Sequence, residues 1–364
     1  MVNMKKQILI LLPLIFILQI SSCNDPIFYT ISQEVKPLPP LIKGSPTNFV
    51  EYYGKMYVAS GKTIYRYDHT YTSYYESRVG WTEIELDEHI NQLAAANGSL
   101  YALCSESGNF VLRRFDGYNW SVVYTGYNTL KIYAANNILF IGASYGDVLG
   151  PYNILSYDGS VIRILADTEY SLINGAAAYN GTYYLSTKHR INLNGGGIYQ
   201  TSAPGTPYSA GIANSGPYIG IINLGNTVVA ITRNGSLQAV PGFYSVANLG
   251  NRPATGALAI WKGDGNTLLL AGRGDVMANE VNYEYGYFEA IVHSSGTYLT
   301  SDLHEPGYYP SSVDNRERYR STIGKLPVNH LYQAPDGILF ASTHNKGVYS
   351  YRLRDGEWQW NAEQ

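Results

Sequence analysis

The 364-residue chain predicts an all-β fold, a seven-bladed β-propeller of four-stranded antiparallel blades. Three observations carry this: one strand–turn–strand phrase recurs seven times, its period is near 44 residues, and no amphipathic helix follows residue 23. The phrase is clearest at 94–104, AAANGSLYALC, where an apolar strand meets an Asn-Gly turn and an alternating strand follows. Further copies lie at 49–60, 132–143, 176–187, 221–232, 259–272 and 331–343. Their turn positions, Gly54, Gly98, Asn137, Gly181, Gly225, Gly265 and Gly337, are separated by 44, 39, 44, 44, 40 and 72 residues. A ring of six or eight blades is the alternative count.

At the amino terminus, Lys5 and Lys6 precede an apolar run from Ile8 to Leu18. That run is well short of the ~20 residues of a spanning helix and contains Pro13, so residues 1–22 read as a secretory signal. The following Ile20-Ser21-Ser22-Cys23 resembles the lipobox of bacterial lipoproteins, in which the cysteine is lipidated and becomes the first residue after cleavage. The alternative is an ordinary cleavable signal with an incidental Cys23. With several acyl chains on Cys23, the mature chain would be anchored to a membrane rather than span it. Residues 23–46 then form a lipidated, proline-rich tether, in which 27–31 is strand-like, and 47–364 form the propeller. The only other cysteine is Cys104, at the end of an apolar strand, where a buried small hydrophobe is expected.

Net charge is −3 and only 15% of residues are charged, so no nucleic-acid partner is expected. The 35 tyrosines are the compositional outlier, and most fall inside the repeated strands. A second phrase supplies the outer strands of each blade: TIYRYD at 63–68, LRRFDGYNWSVVY at 112–124, ILSYDGSVIRIL at 154–165 and VYSYRLRDGEWQW at 348–360. Its Asp116-Gly117, Asp158-Gly159 and Asp355-Gly356 pairs predict hairpin turns with positive φ, as do Asn97-Gly98 and Asn180-Gly181. Period-two alternation is expected throughout. The fifth and sixth copies are the least clearly marked, because Gly, Pro and Asn interrupt 233–255.

The 72-residue interval places two long links in blade 6, at 272–286 and 302–327, the third and fourth strands lying at 286–292 and 297–301. Both links are expected on the face surrounding the channel mouth, where function concentrates. The second carries Tyr308, Tyr309, Arg316, Arg318, Tyr319 and Arg320, the composition of a recognition surface. The first carries Arg273-Gly274-Asp275, which resembles the integrin-binding tripeptide. A third polar link, with Lys188, His189 and Arg190, offers a basic trio for an anion.

The seven histidines show no metal-ligand spacing, and neither a metal nor a cofactor is expected. Gly142-Ala143-Ser144-Tyr145-Gly146 matches the Gly-x-Ser-x-Gly string of hydrolases, but Gly150-Pro151 follows where that motif needs a helix. The boxes of sialidases and the signatures of WD40, kelch and quinoprotein blades are also missing.

With Lys5-Lys6, the Cys23 box, the spacer through Gly44-Ser45-Pro46 and phrases such as GKMYVASGKTIYRYD, the chain resembles the propeller lipoproteins of spirochaetes, treponemes in particular. The resemblance covers the whole chain and implies lipidation at Cys23, with location in the periplasm or at the cell surface. The expected function is a non-catalytic binding or scaffold module for a protein or glycan partner. The alternative is an enzyme acting on a glycan or phosphoester, with Arg190, Arg273 and Arg316 to Arg320 clamping anions and Asp275, Glu280 or Glu284 as acid and base.

Overall fold

The computed structural model describes residues 41–68, 80–106, 108–145, 151–169, 171–189, 195–202, 218–240, 242, 245–248, 254–263, 266–276, 281–292, 323, 326–354 and 357–363. Those residues build seven antiparallel sheets, and within each sheet the strands pair in chain order. Blade 1 contains β1 (Val50–Tyr52), β2 (Lys55–Ser60), β3 (Thr63–Tyr67) and β4 (Trp81–Glu85). Blade 2 contains β5 (His89–Ala96), β6 (Ser99–Glu106), β7 (Asn109–Phe115) and β8 (Trp120–Val122). Blade 3 is β9 (Asn128–Ala135), β10 (Ile138–Ser144), β11 (Tyr152–Tyr157) and β12 (Ile162–Glu169). Blade 4 has three described strands, β13 (Ser171–Tyr179), β14 (Thr182–His189) and β15 (Gly196–Thr201). Blade 5 is β16 (Tyr218–Asn223), β17 (Val228–Thr232), β18 (Ser236–Val240) and β19 (Ser245–Asn248), so the poorly marked stretch does supply its strands. Blade 6 also has three, β20 (Ala254–Gly263), β21 (Asn266–Val276) and β22 (Val281–Val292), and the expected fourth strand at 297–301 lies outside the described residues. Blade 7 is β23 (Val328–Gln333), β24 (Leu339–Thr343), β25 (Gly347–Arg354) and β26 (Glu357–Ala362).

The core is divided among the blade interfaces. Each of seven buried apolar clusters draws on two adjacent blades, and one of them joins blade 7 to blade 1 through Phe340 and Val348 against Met56, Tyr65 and Tyr67. The ring is therefore closed, and no blade buries its faces alone. This arrangement corrects the expectation of uniform period-two alternation. The second strands β17 and β24 are buried at every position, because each is sandwiched between two neighbouring blades. Outer strands behave otherwise, and β4 buries only Trp81.

Local chemistry accounts for the turns. Asn97-Gly98 and Asn180-Gly181 have positive φ at both residues, 51° and 63° and then 48° and 73°, as a two-residue turn between right-twisted strands requires. At Asp116-Gly117 and Asp158-Gly159 only the glycine is positive. There the aspartate instead accepts the backbone N–H groups two and three residues on, Tyr118 and Asn119 or Ser160 and Val161, which gives four-residue loops.

Part of the expected tether belongs to the ring, whose compact unit begins at Pro40. Ile42 is fully buried in the cluster between blades 7 and 1, and the Leu41 N–H donates to the Glu363 carbonyl at 2.7 Å. Gly44 accepts from the Gly347 N–H at 3.0 Å, and the Ser45 hydroxyl donates to Asn345 Oδ1 at 2.8 Å.

The innermost strands are stitched by side-chain amides. Asn48 donates to the Leu93 carbonyl at 2.8 Å and accepts from its N–H at 3.0 Å. Gln92 treats Ile132 of the next blade in the same way, and Gln333 reaches back from blade 7 to both backbone groups of Lys262. An innermost strand has one edge without a sheet partner, and these amides satisfy the backbone groups left there.

Candidate binding surfaces

The strand order sends all first-to-second hairpins to one face of the ring and the links between second and third strands, and between blades, to the other. Lys188 and His189 are the last residues of β14 rather than loop residues, half-buried and paired with Leu172 and Ser171 of β13. They therefore do reach the link face, while Arg190 lies outside the described residues.

The link expected at 272–286 is largely a strand ribbon. β21 and β22 continue their pairing through Gly274 with Tyr283, Asp275 with Asn282 and Val276 with Val281, after a bulge between Gly272 and Gly274. Arg273 and Asp275 thus sit on a paired strand instead of a glycine-rich turn. A bulge lets the ribbon bend while the ladder resumes beyond it, which loop-like composition alone does not reveal. Tyr308, Tyr309, Arg316, Arg318, Tyr319 and Arg320 lie outside the described residues, as does Cys23. Nearby, Ile323 and Leu326 are buried against Tyr287 and Trp360, and the Gly286 N–H donates to the Leu326 carbonyl at 2.8 Å.

A surface that the sequence reading passed over lies on the outer strands of blades 2 and 3. Tyr118 and Tyr124 are 90% and 87% exposed, and Val122 and Ile164 are 57% and 51% exposed. Between the two blades runs a groove of about 530 Å³ lined by Arg114, Val122, Tyr124, Tyr157, Val161 and Ile162 among others. Arg114 is held in place by bonds to the Ser99 hydroxyl at 2.9 Å and the Gly159 carbonyl at 3.4 Å. Elsewhere in blade 3, the Arg163 guanidinium lies 2.6 Å from Asp158 and, with the backbone N–H groups, holds that carboxyl well below its ordinary range.

The same region carries an open sheet edge. β8 pairs with β7 only at Arg113, Arg114 and Phe115, so among the described residues no strand pairs with the outer edge of β7 from Asn109 to Val111. Phe110 and Asn109 are exposed there. The signal available in sequence was the apolar pair Val122-Val123 in a strand that should have alternated, read as ordinary strand composition because the ring explained it.

At the hairpin face, a second cavity of about 650 Å³ opens where the inner strands of blades 3, 4 and 5 meet, lined by Ala134, Ala177, Tyr179, Asn180 and Asn223. Its alanines leave the space, and the Asn223 amide bridges two blades by donating to the Ala178 carbonyl at 2.7 Å. Cys104 offers no reactivity. It is fully buried, and burial, with the Glu88 charge adding to it, pushes its thiol up to about 12. Among the described residues, no group of three or more His, Cys, Asp or Glu side chains is placed to hold a metal ion.

No protein-family model matches the sequence. No curated protein matches it either. Solved structures do share the fold. A BBS1 amino-terminal domain in complex with ARL6 has a TM-score of 0.51 at 13% identity, covering 88% of this chain and 95% of that one. The WD40 propeller domain of Doa1 has a TM-score of 0.52 at 8% identity, covering 87% and 96%. YCF48 bound to a D1 peptide has a TM-score of 0.50 at 9% identity, covering 87% and 94%. At such identities the likeness is one of fold.

Proposed function

We propose that this chain is a lipid-anchored β-propeller of a bacterial cell envelope, similar to those of spirochaetes, acting as a non-catalytic binding module for a protein partner. The observation that carries the reading is the unpaired edge of β7 beside the exposed apolar strip of Val122, Tyr124, Val161 and Ile164. An exposed apolar patch of this kind marks an interaction surface. An open edge takes an extended peptide by adding a strand, which favours a protein segment over a glycan. The rigid closed ring holds both features at little entropic cost on binding. Two propellers of the same fold, the BBS1 domain solved with ARL6 and YCF48 solved with a D1 peptide, support a protein partner. Cys23 supplies the anchor in this reading, on the strength of the lipobox resemblance.

The test is affinity capture from cross-linked membranes with the wild-type chain and with a Val122→Glu, Ile164→Glu double variant. A defined protein captured by the first and lost by the second, at unchanged Tm, supports the reading. An identical profile for both would sink it. Labelling with an alkyne fatty acid should vanish in Cys23→Ser, and protease treatment of intact against permeabilised cells separates cell surface from periplasm.

A further inference from the structure

We propose that the axial channel binds a small oxyanion, a phosphate or carboxylate group, between Lys131 and His330. This is independent of the rim partner proposed above. Both residues lie on innermost strands, Lys131 on β9 and His330 on β23. Both occupy the same place in their blades, directly after the one-residue bulge of the inner strand. Leu130 is skipped before the pairing of Lys131 with Gly142, and Asn329 before that of His330 with Ser342. They therefore stand at one level of the channel, from blades on opposite sides of the ring.

Lys131 is solvent-exposed although β9 is covered outward by β10 and flanked by β5 and β13, so the solvent it meets is that of the channel. Protein surrounds it at that depth, and burial pushes the ammonium toward its neutral form. His330 is lowered to about 4 by burial and by the positive charge of Lys131, so the lysine's charge reaches the imidazole.

What the channel lacks at this level, among the described residues, is an acid. No hydrogen bond or ion pair joins Lys131 or His330 to another described residue, and no carboxylate contributes to the titration of either. The matching positions in blades 2, 4 and 5 are Gln92, whose amide is engaged by Ile132, Gly175 and Gly220. A cation kept from bulk water without a counter-charge is destabilised until an anion arrives. The ammonium would supply the charge, and the neutral imidazole one N–H donor from the far wall.

Titration of the full chain with inorganic phosphate at fixed ionic strength, followed by calorimetry and by Tm, tests this. Saturable binding is expected, with affinity at least about tenfold weaker in Lys131→Met, retained in Lys131→Arg and unchanged in Lys346→Met. His330→Leu should weaken it several-fold. In phosphate-free buffer Lys131→Met should be as stable as the wild type or more so. Failure of phosphate, sulfate and citrate alike to bind saturably, or equal phosphate affinity in Lys131→Met, would overturn the proposal. A destabilised Lys131→Met chain indifferent to phosphate would also overturn it, by showing that the lysine's charge already has a partner within the folded chain.

Discussion

The carboxylate of Glu363 accepts a hydrogen bond of 2.8 Å from the indole nitrogen of Trp81, joining the residue after the last strand to the outermost strand of blade 1. Glu363 is fully buried, and its other oxygen accepts from the Ser350 hydroxyl and the Arg352 guanidinium. Its N–H donates to the Val348 carbonyl at 2.9 Å, and its carbonyl receives the Leu41 N–H. Among the described residues the ring closes without exchanging a strand between its ends, so this residue, the bonds of 41–45 to blade 7 and the apolar cluster between blades 7 and 1 do the work of closure.

Replacing Glu363 with Ala leaves Arg352 and the Trp81 N–H without their buried acceptor. The expected cost is ~3 kcal/mol or more, because a buried charge loses its partner. Trp81→Phe, which keeps most of the ring area, should cost about 1–2 kcal/mol. Urea unfolding of the two variants, followed by tryptophan-independent circular dichroism, measures both. Equal small losses would show that closure rests on the apolar cluster alone.

Gln92→Leu removes the amide that serves both backbone groups of Ile132. A loss of about 1–3 kcal/mol is expected from the unsatisfied inner edge. Hydrogen exchange should report it locally, with faster exchange at the Ile132 amide and no change at Leu93, which is served by Asn48.

Cys104 carries a pH signature. Its thiol is raised from about 9 to about 12 in the folded chain, so the folded state holds the proton over a range in which the unfolded state releases it. The stability contributed by the neutral thiol is complete below pH ~8.5 and declines as pH rises toward the folded value. Cys104→Ala should therefore lose less stability than the wild type between pH 8 and 10, measured by Tm. Iodoacetamide should leave the native thiol untouched and modify it after denaturation.

Gly256 lies where the inner strand of blade 6 passes closest to that of blade 5, and a methyl group built on it would overlap the Ile219 carbonyl oxygen. Backbone cannot move aside as a side chain can. Gly256→Ala is expected to cost about 1–3 kcal/mol, whereas Gly220→Ala, whose neighbours stand at 3.1 Å or more, should cost less.

Much of the fold was legible because its determinants are local. Asn97-Gly98 and Asn180-Gly181 sit in hairpins whose backbone demands those residues, and a repeated hairpin implies a repeated blade. Less of the candidate surface was legible. Loop-like composition around Arg273-Gly274-Asp275 concealed a paired ribbon, because pairing depends on a bulge that composition does not report. Val122 and Ile164 looked like ordinary strand residues, since a strand in sequence does not say whether another blade covers it.

The sequence by itself determined that the chain is a propeller built of repeated hairpins, with turns at Asn97-Gly98 and Asn180-Gly181, since two-residue turns and strand periodicity act over a few neighbours. Only the tertiary structure decided that Glu363 meets Trp81, that Gln92 serves Ile132, and that Lys131 and His330 share one level of the channel. Those pairs are distant along the chain or lie in different blades. What brings them together is the packing of blades around a closed ring, with the bulges in β9 and β23 setting the matching places of Lys131 and His330.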